Sequence, residues 1–224
     1  MTVDLDIPTA PPTEPVQIKK RIISFQELAD CLQNSTGQEP LPPRFRALFA
    51  LKNIGGLKAI EAISAAFKDP SVLLKHELAY VLGQMKDIRA IPFLNAVLED
   101  EGQDEMVRHE AAEALGAIGA AESLPILERF KAHSCPAISE TCDIAIDRIH
   151  RAEYKSEVLG PQDTVFGSVD PAPSLPERLT TAELGSKLMD RSLPLYERYR
   201  AMFSLRNRGI TDEQAVLELC KGFD

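Results

Sequence analysis

Lys75-His-Glu-Leu-Ala-Tyr-Val-Leu-Gly83 and Arg108-His-Glu-Ala-Ala-Glu-Ala-Leu-Gly116 are two copies of one pattern, set 33 residues apart. The same offset pairs Pro92 with Pro125 and Leu94 with Leu127, so the correspondence runs beyond the motif itself. Apolar residues around both copies recur at helical spacing, and no window carries the sustained alternation of a strand. A repeated helical unit cannot bury its apolar face alone. It must stack on its neighbours, and the stretch therefore predicts an all-α solenoid of paired helices.

Working outward, the chain from Arg44 to about Tyr154 alternates amphipathic stretches with brief breaks at Gly55-Gly56, Asp69-Pro70, Asp87, Gly102 and Gly119. The breaks predict helices over about 44–53, 57–67, 72–84, 89–99, 105–118, 122–132 and 137–152. Ser24-Phe-Gln-Glu27 and Thr180-Thr-Ala-Glu183 are capping boxes: in each, the hydroxyl takes an orphan amide while the glutamate reaches back to the cap, so each predicts a helix start. Arg198-Tyr-Arg-Ala-Met-Phe-Ser-Leu-Arg-Asn207 repeats Arg44-Phe-Arg-Ala-Leu-Phe-Ala-Leu-Lys-Asn53 at an offset of 154, which marks an internal duplication.

The expected organisation is a disordered, proline-containing lead over 1–20, a repeat domain over 21–154, a Pro/Gly-rich extended linker over 155–178, and the start of a second repeat domain over 179–224 with a last helix near 212–222. The period of 33 is shorter than the roughly 40–47 residues of HEAT and armadillo units and matches ankyrin and tetratricopeptide lengths instead. Their signatures are absent: there is no Thr-Pro-Leu-His turn and no tryptophan. Ala114-Leu-Gly-Ala-Ile-Gly119, after a charged dipeptide, fits short HEAT-like repeats, so the fold class is a HEAT-like helical-repeat solenoid whose second half is incomplete.

With 224 residues and 44% hydrophobic content, the chain can build a substantial core. A net charge of −9 argues against nucleic acid or an anionic membrane surface and suits a basic protein partner. The first eight residues carry two aspartates and no apolar run, and no stretch approaches the roughly 18 apolar residues of a membrane helix. An intracellular protein, cytoplasmic or nuclear, is expected. Cys31, Cys135, Cys142 and Cys220 show no C-x-x-C pairing and are expected to be reduced and buried.

Each repeat carries a His-Glu dyad, His76-Glu77 and His109-Glu110. Imidazole with carboxylate suits iron, zinc, manganese or another borderline divalent ion. Equivalent positions on successive stacked helices project side by side, so His76 and His109 are expected as neighbours on one face. Adjacent residues in a helix point about 100° apart, so one dyad need not place both groups on one metal. The alternative is that these are polar residues opening a helix, with Glu77 and Glu110 near the N-terminus where negative charge is favoured. Tyr80 and Glu113, one turn on, are candidates to support the ligands. His133 and His150 lie outside the dyad register. The arginines Arg44, Arg46, Arg198 and Arg200 are expected to buttress the repeats through salt bridges, and Gly83 and Gly116 to permit close helix packing or a bend.

These stretches, together with Leu74-Lys-His-Glu-Leu-Ala-Tyr-Val-Leu-Gly-Gln-Met85, Ser168-Val-Asp-Pro-Ala-Pro173 and Tyr196-Glu-Arg-Tyr-Arg-Ala-Met-Phe203, resemble the deoxyhypusine hydroxylases over about Ser24 to Cys220. The resemblance implies a HEAT-like monooxygenase that uses dioxygen and two Fe2+ ions to hydroxylate the deoxyhypusine side chain of eukaryotic translation initiation factor 5A. It implies four His-Glu dyads, two from each half. His76, Glu77, His109 and Glu110 match the first two as metal ligands, with the histidines direct ligands and one glutamate left for the substrate amine. The duplication offset places the other two dyads near positions 230 and 263, past Asp224. The expectation is half a site, from a truncated chain or from self-association of two chains, and an isolated chain that is inactive. A metal-free HEAT-repeat interaction scaffold is the alternative; a bilin-attachment lyase, whose repeats are similar in kind, fits the dyads and the Ser168–Pro173 stretch less well.

Overall fold

The computed structural model describes residues 23–153, 166–176, 178–209 and 211–223. The expected disordered lead over 1–20 and the linker residues 155–165 lie outside them. Eleven α-helices follow in the described residues: α1 (Phe25–Leu32), α2 (Leu41–Ile54), α3 (Gly56–Ser64), α4 (Val72–Met85), α5 (Ile91–Glu99), α6 (Glu105–Ile118), α7 (Leu124–Phe130), α8 (Pro136–Glu153), α9 (Thr181–Met189), α10 (Leu195–Arg208) and α11 (Glu213–Cys220). No strand occurs among these residues, in keeping with the all-α reading. The even-numbered helices α2, α4, α6, α8 and α10 pack side by side in one layer, and the odd-numbered helices back them.

The boundaries follow from local chemistry. Both expected capping boxes form: Ser24 and Glu27 open α1, Thr180 and Glu183 open α9. Ser71 and Asp104 accept amide hydrogen bonds at the starts of α4 and α6, and both helices stop at a left-handed residue, Lys86 and Gly119. Pro92 and Pro125 sit in the first turns of α5 and α7, where the missing N–H is no loss. The same logic moves the start of α2 upstream of the expected 44: Pro42 and Pro43 occupy its first turn rather than preceding it.

Gly83 and Gly116 serve close packing. A Cβ at Gly83 would lie 2.7 Å from Ala114 Cα, and one at Gly116 would lie 2.7 Å from Ala145 Cβ. The missing side chains let α4 meet α6, and α6 meet α8, nearly backbone to backbone. Arginines tie each pair together. Arg44 Nε donates to the Leu32 carbonyl at 3.0 Å, Arg108 Nε to the Leu98 carbonyl at 3.0 Å, and Arg198 Nε to the Leu188 carbonyl at 2.9 Å. Each closes the C-terminal end of the preceding helix. The expected buttressing thus runs through carbonyls as well as ion pairs: Arg44 also pairs with Asp69, and Arg200 with Glu197 at 3.7 Å. Arg46 is exposed, and Arg200 donates to the Pro173 carbonyl at 3.1 Å.

One apolar core runs from Ala29 to Ile149, and a smaller one comprises Leu184, Leu188, Ala201, Leu205 and Ala215. Ile144, Ala172 and Tyr196 form a third cluster between them. Ala172 belongs to a non-helical strap, residues 166–176, which is pinned on both sides. The Gln84 side chain accepts from the Val169 amide at 2.8 Å and donates to the Val169 carbonyl at 3.1 Å. Arg148 of α8 donates to the Asp170 carbonyl. Asp170 takes a two-pronged contact from Arg206 of α10, at 2.9 and 2.7 Å, and the Leu175 amide donates to Ser204 Oγ at 2.8 Å.

Of the cysteines, Cys142 is buried, Cys31 and Cys135 are half-buried, and Cys220 is exposed. Burial of Cys220 was expected and does not occur, because α11 turns Ala215 and Glu218 inward and leaves Cys220 on its solvent side.

Candidate metal centre

Each dyad falls in the second turn of its helix, at the fifth and sixth residues of α4 and of α6. Because the glycine seam holds these helices close, the dyads meet across the repeat boundary. His76 Nε2 lies 3.1 Å from Glu110 Oε2. His109 Nδ1 lies 2.6 Å from Thr141 Oγ1 on α8. His109, Glu110 and Glu113 each offer a ligand atom within 4.8 Å of the others.

The structure therefore groups His109 with Glu110 and adds Glu113, while His76 stands outside that three-residue group and meets it through Glu110. Glu113, expected only as support, enters the cluster because it stands one turn after Glu110 on the same face. Glu77 is half-buried and stands outside the three-residue group, close enough to His76 and Glu110 to interact electrostatically with both. Tyr80 is half-buried one turn further on. His133 accepts from the Cys135 amide at 3.1 Å and leans on the Phe130 ring, while His150 is exposed.

Two wall residues escaped sequence reasoning. Thr141 and Tyr199 join Glu113, Gly116, Ile144, Ala145 and Pro171 around a small pocket that is partly open to solvent. For Tyr199 a signal existed: the corresponding stretch of the first half has Phe45 at that position, so the second copy carries a hydroxyl that the first lacks. Thr141 had none. Residues 33 beyond His109 and Glu110 are Cys142 and Asp143, so α8 breaks the dyad pattern.

The electrostatics follow from crowding several acids in a half-buried place. Burial, reinforced by Glu110, pushes the Glu113 carboxyl up to about 7. Burial also raises Glu77. The hydrogen bond to Glu110 raises His76, whereas burial lowers His109. Tyr80 and Tyr199 are both raised, first by burial and then by neighbouring glutamates. Carboxylates held above their ordinary range lack sufficient positive charge nearby, and a cation among them would relieve the repulsion. His109 with Glu110 and Glu113, and His76 against Glu110, with no thiolate among them, form the nitrogen–oxygen donor set that suits iron(II) and similar divalent ions.

A paired-helix solenoid with a histidine–carboxylate cluster across its repeat seam defines the class: a HEAT-repeat protein with a candidate metal centre. The HEAT-repeat family matches residues 60–138, and the family of PBS lyase HEAT-like repeats matches residues 43–69. Among curated relatives, deoxyhypusine hydroxylase of Candida albicans is 50% identical over 216 residues, covering 90% of this chain and 67% of its own length. Deoxyhypusine hydroxylase of Homo sapiens is 52% identical over 186 residues, covering 83% of this chain and 60% of its own length. The solved structure of human deoxyhypusine hydroxylase in complex with glycerol superimposes with a TM-score of 0.78 at 47% identity, over 88% of this chain and 67% of that one. The chain belongs to the deoxyhypusine hydroxylase family. It spans roughly 60% to two thirds of the length of these relatives.

Proposed function

We propose that this chain carries the N-terminal half of a deoxyhypusine monooxygenase, acting on the deoxyhypusine side chain of translation initiation factor 5A with dioxygen and two iron ions. The observation that carries the reading is the meeting of His76 with Glu110 across two repeats, beside His109 and Glu113. Family membership supports it.

In this reading His76 and His109 donate nitrogen to the metal, and Glu110 and Glu113 donate oxygen. Bound iron supplies the dioxygen chemistry that no amino-acid side chain can perform. Glu77, outside the three-residue group, is left to meet the cationic amine of the substrate. The acidic balance of the chain, −9, favours approach of such a polyamine-like group and disfavours nucleic acid. The site works in the cytoplasm or nucleus, where the substrate factor is made and used. No described helix is long and apolar enough to cross a membrane.

Iron content tests the proposal. The full chain loaded with iron(II) under argon, then desalted, retains metal; His76→Ala and His109→Ala each lose most of it. Equal iron in the wild type and both variants would exclude these histidines as ligands.

A further inference from the structure

His76 and His109 stand in the same register but differ in what lies behind them. His76 turns Nε2 to Glu110 and keeps 30% of its side-chain surface exposed. His109 instead presses Nδ1 against Thr141 Oγ1 at 2.6 Å, on a residue that is itself 8% exposed. A hydroxyl can accept or donate, so that distance alone does not fix where the proton sits. Because Nδ1 is engaged by Thr141, the nitrogen that His109 has left for a cation is Nε2, and on the metal-centre reading the proton of the neutral ring then sits on Nδ1.

We propose that Thr141 is a positioning residue for the metal centre: its hydroxyl accepts from the Nδ1–H of His109, fixing the tautomer that leaves the Nε2 lone pair for a cation. The inference rests on the metal-centre reading above. Its physical basis is general, because a ligating imidazole needs one nitrogen free and the other anchored, and loss of the anchor typically weakens metal binding by about 10–100-fold. Exposed histidine in water favours the opposite tautomer, with the proton on Nε2, so the fold has to impose this one. Thr141 does so from α8, the helix that carries no dyad of its own. The dyad ladder of α4 and α6 thus ends on a hydroxyl that orients the last histidine.

The test uses the metal-free full chain with nitrogen-labelled histidine. Two-bond proton–nitrogen correlations are expected to show His109 as the Nδ1–H form in the wild type and in Thr141→Ser. Thr141→Val, close in shape but without the hydroxyl, is expected to shift His109 toward the Nε2–H form while His76 stays unchanged. Titration with iron(II) under argon is then expected to give at least about tenfold weaker binding for Thr141→Val and near wild-type binding for Thr141→Ser. An Nε2–H form in the wild type, or a Thr141→Val chain with an unchanged tautomer, overturns the proposal whatever its affinity. If the wild type binds no metal, the metal-centre reading fails by itself, and the tautomer spectra still decide the role of Thr141.

Discussion

Gly116→Ala sets two opposed effects against each other, and the structure says which wins. Alanine in a helix interior is ordinarily favoured over glycine by about 0.5–1 kcal/mol. Here the new Cβ would lie 2.7 Å from Ala145 Cβ and 2.9 Å from Ala145 Cα. Carbon atoms pack best at about 3.5–4.0 Å, so α6 and α8 would have to part by about 1 Å. Overpacking of this kind costs about 1–3 kcal/mol. The expected net result is a loss of up to about 2.5 kcal/mol, read as a lower urea midpoint by circular dichroism with an unchanged slope. The same separation would stretch the 2.6 Å contact between His109 and Thr141, so iron retention should fall with stability. Two double variants sharpen the test. At Gly116 the nearest atom is a side-chain methyl, which Ala145→Gly removes; at Gly83 it is the Cα of Ala114, which no substitution removes. Ala145→Gly should therefore restore more to Gly116→Ala than Ala114→Gly restores to Gly83→Ala. A midpoint for Gly116→Ala at or above the wild type would refute the claim that backbone contact sets the repeat spacing.

Asp170→Ala removes the acceptor of both Arg206 contacts, a loss of about 1–3 kcal/mol for a part-buried charged pair; hydrogen exchange should quicken in 166–176 and α10 while α4 and α6 stay protected. In the metal-free chain Glu113 holds its proton up to about 7 against an ordinary 4.5, so the folded state keeps a proton that the unfolded state releases. Stability should then fall as pH rises from about 4.5 to about 7, and Glu113→Gln should flatten that slope; an identical pH profile in the variant would count against a buried, protonated Glu113. Burial pushes the Cys142 thiol up to about 12, whereas Cys220 is exposed. Iodoacetamide at pH 8 should label Cys220 within minutes and Cys142 only on unfolding, as mass spectrometry of tryptic peptides would show.

The fold was legible because a solenoid writes its architecture into a local period: the dyads, Pro92 and Pro125, and Gly83 and Gly116 all recur at one offset, and each recurrence has a local physical reason. The site was half legible. The dyads and the two supporting residues one turn on could be named from helical spacing, which also placed Glu113 on the face that joins the cluster. Tyr80 shares that argument but ends beside the cluster, since spacing gives direction and not reach. Thr141 and the strap were hidden for a different reason. Their roles depend on where non-repeating segments dock, and proline-rich composition shows that 166–176 is not helical without showing that Gln84, Arg148 and Arg206 hold it. The arginine roles were legible in part: Arg44 and Arg200 do pair with carboxylates, but the carbonyls left unpaired at helix ends also take arginine donors, which composition does not show.

The seam and the site are one structural feature. Neither dyad acts as a unit within its own repeat: His76 reaches forward to Glu110 on the next helix, and His109 reaches forward to Thr141 on the one after. Such contacts exist only at the spacing set by Gly83 against Ala114 and Gly116 against Ala145. A methyl group added at Gly83 or Gly116, neither of them a candidate ligand, is therefore expected to disturb the cluster as a whole, whereas removal of one ligand leaves the spacing intact. The two kinds of variant should separate in experiment. Loss of metal with unchanged urea stability marks a ligand, and joint loss of both marks the seam that brings the ligands together.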